Sequence, residues 1–188
     1  MPTEDMEFIG KDYSRQSLEG ASFSECAFES CAFIESDWSN CTFSDCVFKS
    51  CNLSSVKLDG CRLQNVRFEG CKLAGLEFCK CDQKFIQPGF TDCVILGCNF
   101  SYMKLNRTIL RGSRIHECSF VGTALSGADF SSSDLLGSIF HDCDLTKAIF
   151  TRASSYSISP QGNKIRKARF SAPEVIALLA DFDITIDD

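Results

Sequence analysis

The chain has 188 residues and a net charge of −6, with 13 Cys and 17 Phe but only 1 Trp and 4 Pro. An apolar fraction of 44% is typical of a folded domain and excludes a wholly disordered chain. The acidic balance excludes a protein that holds nucleic acid by bulk positive charge. The odd number of cysteines excludes complete disulfide pairing within a monomer.

The beginning of the chain does not resemble a targeting signal. Glu4, Asp5 and Glu7 lie where a secretory signal would be basic. No apolar stretch approaches the roughly 18 residues that cross a bilayer. We therefore expect a cytoplasmic protein without a membrane segment, whose thiols stay reduced. A secreted disulfide scaffold is the alternative for so Cys-rich a sequence.

A repeat of five residues organises most of the sequence. Every fifth residue from Phe8 to Phe78 is large and apolar, and so is every fifth residue from Phe90 to Phe150, two residues out of phase. This period fits neither a helix nor a strand and indicates a chain that turns a corner after each repeat. Four corners would close a square coil, and stacked coils would lie about 4.8 Å apart. The predicted core includes nine aromatic repeat centres: Phe28, Phe33, Trp38, Phe43, Phe48, Phe100, Phe120, Phe130 and Phe140.

A small or slim residue lies two positions before each centre. Twelve of the 13 cysteines occupy this position, and only Cys79 does not. We expect the twelve thiols to pack as small hydrophobes in a narrow shaft, because structural zinc prefers closely paired cysteines around one tetrahedron. The sequence therefore predicts no metal site. Cys79 is expected to face outward and to react first with an alkylating agent.

From about residue 6 to 153, the order small, polar, Leu or Phe, polar, polar resembles the pentapeptide repeat proteins. This resemblance implies an all-β fold, the right-handed quadrilateral β-helix. We predict that β-helix over residues 1–153, with a phase shift or loop at 79–89. Pro88 and Gly89 are a turn signal there. The loop is either a slip that the array tolerates or an outward element that docks a partner.

The remaining residues, 154–188, are predicted to form an irregular return segment, a helix over 172–181 and a short terminal strand. Ser171 and Glu174 have the spacing of a capping box. The helix either shields the last coil, as repeat arrays need, or provides a surface for self-association. This tail is similar to that of the Qnr, MfpA and McbG group, in which it makes a head-to-head dimer. The candidate dimer interface is Phe170, Val175, Ile176, Leu178, Leu179, Phe182, Ile184 and Ile186.

In that group the rod resembles duplex DNA and engages type II topoisomerases, chiefly DNA gyrase. The resemblance implies a non-enzymatic homodimer that needs no cofactor, contacts no nucleic acid directly and protects gyrase from quinolones or a similar poison. The alternative is a structural adaptor whose partner is unrelated to topoisomerase. The candidate partner-binding residues are Glu19, Glu25, Glu29, Glu35, Asp37, Asp45, Lys84, Gln87 and Pro88.

Charge is unevenly distributed along the chain. Residues 1–50 contain ten acids and three bases, as a duplex mimic requires, whereas residues 51–120 contain six acids and ten bases. Four of these bases precede successive centres and form a predicted basic ring: Lys57, Arg62, Arg67 and Lys72. The ring departs from duplex mimicry and favours the adaptor. Its plainer interpretation is a solvated belt paired with Asp59, Glu69 and Glu77.

No arrangement of residues in the sequence predicts an active site. His116 and His141 follow repeat centres and are expected on adjacent faces of separate coils. Neither a glycine-rich phosphate loop nor a nucleophile elbow is visible. We therefore expect no catalytic residue.

Overall fold

The computed structural model describes residues 3–182 and 184–185. The chain winds into a parallel β-solenoid of about eight coils, which is the quadrilateral β-helix expected from the repeat. Its strands are β1 Thr3–Glu4, β2 Glu7–Ile9, β3 Ser22–Ser24, β4 Ala27–Glu29, β5 Thr42–Ser44, β6 Val47–Lys49, β7 Asn52–Ser54, β8 Arg62–Glu69, β9 Lys72–Ala74, β10 Ile86–Thr91, β11 Val94–Leu96, β12 Leu110–Arg111, β13 Arg114–His116, β14 Ile139–Phe140, β15 Ile149–Phe150, β16 Ser157–Ile158 and β17 Arg169–Phe170.

Strands pair with the coils above and below, and every pair is parallel. Phe8 lies opposite Phe28, Phe28 opposite Phe48, and Phe48 opposite Phe68. The offset of twenty residues is four repeats, which is one coil. The aromatic rings stack in the same register, with 4.6 Å between the centroids of Phe28 and Phe48. The ladder therefore places equivalent residues of successive repeats directly above one another.

The strands group into four sheets. The largest runs β1-β3-β5-β8-β6-β4-β2, with β10 on β8 and β12 on β10. The others are β13-β11-β9-β7, β14-β16 and β15-β17. Strand β8 continues through a corner and pairs with both β5 and β6. This one long strand joins two neighbouring sides of the solenoid into a single sheet.

The corners need a backbone conformation that few residues adopt. The residue two places after a centre has a φ near +60° in almost every coil, as at Arg15 and Asn40. Ten of these positions are glycine, which takes this conformation without strain. At Gly60 a Cβ would also lie 2.6 Å from the side-chain oxygen of Asn40. Glycine at this corner thus avoids both the strain of a positive φ and a contact that would displace the Asn40 side chain.

The interior is a continuous apolar shaft. All nine aromatic centres named above are buried, and small residues between them fill the rest of the shaft. Phe8, Tyr13, Leu18 and Phe23 are only partly buried because they lie in the first coils, where little packs beneath them. The described helices include none that is long and apolar enough to cross a membrane.

The interruption bulges outward before Ile86 and not at Pro88 and Gly89, where the sequence has its turn signal. A 3₁₀-helix, Phe78–Lys80, is followed by β10, in which Ile86 pairs with Leu63. Ile86 fills the corner, whereas Phe85 is 43% exposed. Pro88 lies in β10 opposite Val66 and is buried, so the predicted turn at this residue is wrong. Its ring occupies the small-residue position, and the surplus residues bulge outward earlier, before Ile86.

Residues 154–170 continue the solenoid, so the predicted return segment after residue 153 is wrong. Strand β16 pairs with β14, and β17 pairs with β15. Tyr156 and Ile158 point into the shaft although the five-residue period is lost. Ile158 lies opposite Phe140, only eighteen residues earlier, because two residues are missing from this side of the coil.

The tail forms a 3₁₀-helix, Glu174–Phe182, where a helix over 172–181 was predicted. The capping box is wrong, because the Ser171 hydroxyl accepts the Arg152 N–H at 2.8 Å instead. Ile184 and Thr185 form no strand. The rest of the predicted terminal strand, including Ile186, lies outside the described residues.

Candidate interaction surfaces

The small-residue position has a hydrogen-bonding role as well as a size limit. The Cys51 thiol donates to Phe28 O at 3.3 Å, and the Cys71 thiol donates to Phe48 O at 3.3 Å. Each acceptor belongs to the centre twenty-three residues earlier. Ser133 donates in the same way to Leu110 O at 2.6 Å. Short side chains that can donate therefore satisfy carbonyl groups along the shaft wall.

Burial favours the thiol form of three cysteines at this position. It raises the pKa of Cys41, Cys46 and Cys143 to about 11, because a thiolate would lose its hydration in the shaft. A protonated thiol is the form that can donate to a carbonyl. No three His, Cys, Asp or Glu side chains among the described residues are arranged to hold a metal ion.

Cys79 is the only cysteine of the described chain that is not buried. Its sulfur lies 3.4 Å from a Glu77 carboxylate oxygen. Partial burial, followed by the Glu77 carboxylate, raises the pKa of the Cys79 thiol. Cys79 is thus accessible, as predicted, but its thiolate is disfavoured.

The predicted acidic surface divides into unequal parts. Glu19, Glu25 and Glu29 are exposed on the first coils. Glu35 is paired with Arg15 at 3.0 Å. Two further acids are also engaged, since Asp37 contacts Lys57 at 3.0 Å and Asp45 accepts a hydrogen bond from Asn65 at 2.6 Å. The exposed glutamates therefore form the least compensated part of the candidate partner surface.

Asp37 has a distinct electrostatic environment. Hydrogen bonds from Ser39, one of them a backbone bond of 2.9 Å, and then the Lys57 ammonium lower the pKa of the Asp37 carboxyl. Both groups stabilise the charged form of Asp37.

The basic ring pairs mainly between coils. Lys57 contacts Asp37, and Arg62 contacts Asp82 at 3.1 Å. Of the three acids predicted to pair with the ring, only Glu69 forms an ion pair, with 3.9 Å between its carboxylate and Arg67. Equivalent positions of adjacent coils are about 4.8 Å apart, closer than most positions along one coil, so vertical neighbours pair first. Pairing with Asp59 and Glu77 was therefore the wrong expectation.

The bulge before Ile86 opens a groove of about 590 Å³ on one side of the solenoid. We call this the basic groove. Its walls come from the coil below, the interrupted coil and the coil above. The residues lining it are Asn65, Val66, Arg67, Gln83, Lys84, Ile86, Gln87, Pro88, Gly89, Lys104, Asn106, Arg107, Thr108 and Ile109. Four are cationic and none is acidic. The sequence pointed to Lys84 and Gln87 but missed Lys104 and Arg107, whose nearness depends on the stacking of coils.

The two histidines do not come together. His116 Nε2 lies 2.7 Å from Asp134 Oδ2, and His141 Nε2 lies 3.4 Å from Asp142 Oδ2. The two pairs lie on separate coils of the solenoid.

The apolar tail divides into an inward and an outward set. Phe170 stacks on Phe150 with 5.1 Å between ring centroids, and Leu178 packs against the core. Both were expected at the dimer interface but contribute to the shaft and its end. The outward set is Val175, Ile176, Leu179, Phe182 and Ile184.

The fold, the five-residue register and the cysteine ladder define a pentapeptide β-solenoid. The family model described as the pentapeptide repeat region matches residues 21–88, and the model described as pentapeptide repeats matches 93–131 and 113–152. The chain belongs to the pentapeptide repeat proteins. No curated protein sequence matches it.

Solved structures share this fold. Trypsin-treated QnrB1, described as a plasmid-mediated fluoroquinolone resistance protein, has a TM-score of 0.65 and 18% identity, covering 100% of both chains. HetL from the cyanobacterium Nostoc sp. strain PCC 7120, described as involved in heterocyst differentiation regulation, has a TM-score of 0.50 and 13% identity. That match covers 89% of this chain and 84% of HetL. At these identities the likeness establishes the fold alone.

Proposed function

We propose that this protein is a non-enzymatic binder of a type II topoisomerase, such as DNA gyrase, and protects it from fluoroquinolones. The observation that carries the proposal is the exposed acidic surface of the first coils, formed by Glu19, Glu25 and Glu29 on a rigid rod. About eight coils at 4.8 Å give a rod of roughly 40 Å. Duplex DNA presents a dense row of negative charge over such a length, and a protein surface that binds DNA would accept an acidic rod.

The likeness to QnrB1 supports the same proposal, because that protein is described as conferring fluoroquinolone resistance and its fold matches over the whole chain. A second candidate, an adaptor for another protein, is favoured by the basic groove. A duplex mimic has no need for an uncompensated cationic groove.

A gyrase supercoiling assay in the presence of ciprofloxacin tests the proposal. We expect the protein to restore supercoiling at micromolar concentration. The triple variant Glu19→Gln, Glu25→Gln, Glu29→Gln should lose most of this effect, because it keeps the shape of the rod and removes three charges. The control Glu117→Gln, Asp142→Asn neutralises two exposed acids of later coils and should retain the effect. Failure of the unmodified protein either to restore or to inhibit supercoiling would contradict the proposal.

We also propose that the outward apolar set of the tail forms a homodimer interface. Burial of Val175, Ile176, Leu179 and Phe182 in a partner would remove exposed apolar surface from water. Ile176→Asp tests this more cleanly than Leu178→Asp, because Leu178 also packs against the shaft. Light scattering should give a dimer mass for the wild type and a monomer mass for Ile176→Asp. A monomeric wild type would show that no such interface forms.

A further inference from the structure

We infer that the basic groove docks an acidic segment of a partner protein, which presents two or three carboxylates to Lys84, Lys104 and Arg107. This inference does not rest on the proposed function, because the groove lies on the middle coils, away from the acidic first coils. The inference concerns a cationic surface, whereas a mimic of duplex DNA needs an acidic one.

The charge of the groove is the first part of the evidence. Lys84, Lys104 and Arg107 are exposed at its walls, and the described residues show no ion pair for them. Arg67, the fourth cation, has only a 3.9 Å contact with Glu69. Three cations elsewhere on the solenoid, Arg15, Lys57 and Arg62, each pair with an acid of a neighbouring coil. Asp82 lies near Lys84 and accepts its N–H at 3.1 Å. No acid lines the groove itself, so its four cations leave it positively charged.

Backbone donors add to this charge. In the regular coil above, Ala124 N donates to Met103 O at 2.9 Å, and Asp129 N donates to Thr108 O at 3.0 Å. The equivalent N–H groups at the groove belong to Lys104 and Ile109. Neither makes a hydrogen bond within the described residues, because the bulge displaces the chain beneath them. Unpaired N–H groups beside cations form a favourable site for an anionic oxygen.

The dimensions favour a short peptide over a nucleic acid. The cations span the interrupted coil and the coils directly below and above it, a distance of about 10 Å. Asp45 lies one coil below Asn65, and Asp129 lies one coil above Ile109. A long polyanion such as duplex DNA would meet these carboxylates. An extended peptide places alternate side chains about 7 Å apart. Two or three glutamates of such a peptide therefore fit between Asp45 and Asp129.

The rim of the groove supplies apolar contact. Ile109, which lines the groove, is 42% exposed. Phe85, the chain neighbour of Lys84 and Ile86, is 43% exposed and has the Arg62 guanidinium 5.1 Å from its ring centroid. An acidic segment with an occasional apolar residue would bury part of this surface. The groove thus combines positive charge at its walls with an exposed apolar side chain.

Amide NMR spectra of the full chain test the inference. The probe is a peptide of three alternating Glu-Ser pairs, compared with the same peptide carrying Gln in place of Glu. We expect the acidic peptide to shift the amide signals of Lys104 and Ile109 and the Gln peptide to leave them unchanged. Equal shifts with both peptides, or shifts confined to other coils, would overturn the inference.

Charge reversal locates the site. Lys84→Glu, Lys104→Glu, Arg107→Glu should weaken peptide binding at least about tenfold, as expected when several charge contacts are lost together. The matched triple variant Arg166→Glu, Lys167→Glu, Arg169→Glu changes the net charge equally on the last coil and should bind as the wild type does.

Two further results would also overturn the inference. One is tighter binding of a short DNA duplex than of the acidic peptide to the same groove. The other is self-association of the wild type that the groove triple variant abolishes, since the occupant would then be a second copy of this chain. The supercoiling assay is read separately, because the groove triple variant keeps the acidic first coils.

Discussion

The hydroxyl of Ser133 connects two coils through the shaft wall, and its removal should be costly. Ser133 Oγ donates to Leu110 O at 2.6 Å and accepts the Ser113 N–H at 3.1 Å. Neither of these backbone groups has another partner within the described chain. Ser133→Ala would leave one buried donor and one buried acceptor unpaired. Ser133→Cys would keep a group that can donate and accept, as Cys71 does three coils below.

The magnitude follows from these two backbone groups. An unsatisfied buried polar group costs about 1–3 kcal/mol, and loss of the hydroxyl removes its own desolvation cost. We therefore expect Ser133→Ala to lower the free energy of unfolding by about 2–4 kcal/mol. Ser36 is the matched control. It is equally buried and donates to Phe33 O at 2.8 Å, but that carbonyl already accepts the Ser36 N–H. Ser36→Ala should cost less than about 1 kcal/mol.

Urea unfolding followed by circular dichroism measures the difference, with midpoints compared at a common slope. The buried Trp38 provides a fluorescence probe several coils away from Ser133. Coincident transitions from the two probes would show that the coils unfold together. Equal losses for Ser133→Ala and Ser36→Ala would refute the bridging role. So would a Ser133→Cys variant as unstable as Ser133→Ala.

Three other predictions concern the interruption, the accessible thiol and acid stability. Ile86→Ala should lower the free energy of unfolding by about 2–4 kcal/mol and Phe85→Ala by under 1 kcal/mol, because only Ile86 fills the shaft; thermal denaturation at equal concentration distinguishes this from the reverse order. Cys79 should react first with a thiol reagent at pH 8, and Glu77→Gln should accelerate it, because loss of the carboxylate lowers the pKa of the thiol; an unchanged or slower rate would be inconsistent with that cause. The pKa of Asp37 is lowered in the fold, so its stabilisation is present above its unfolded value, about pH 4, and is lost as the pH falls through the folded value. Asp37→Asn should therefore flatten the decline of the melting temperature below pH 4, and an unchanged decline would exclude this contribution.

The acidic rod and the basic groove place opposite demands on a partner. A surface that replaces DNA on an enzyme must be acidic where the enzyme is basic. The groove requires an acidic partner segment instead. Because the two surfaces lie on different coils, one protein could use both, and the supercoiling and peptide-binding assays separate them.

The structural predictions made from the sequence were wrong where the five-residue period was interrupted. At Pro88 a turn signal was outweighed by packing, since the shaft needed a slim residue opposite Val66. In the last coil Tyr156 and Ile158 entered the shaft out of period, and no spacing rule indicated this. The Ser171 hydroxyl accepts the Arg152 N–H of the preceding coil and does not cap its own helix. In each case a contact one coil away outweighed a local signal.

The sequence by itself determined the coil, its register and its interior. A large residue at every fifth position and a slim one two places earlier can be buried together only if the chain turns after each repeat. Tertiary structure alone decided which outward charges meet, because those neighbours are a full coil apart along the chain. It also decided that the chain gains three residues before Ile86 and loses one between Ile86 and Pro88, which opened the groove between Lys84 and Lys104. Periodicity specifies inward positions because they share one environment, whereas outward contacts depend on the particular residues that stacking brings together.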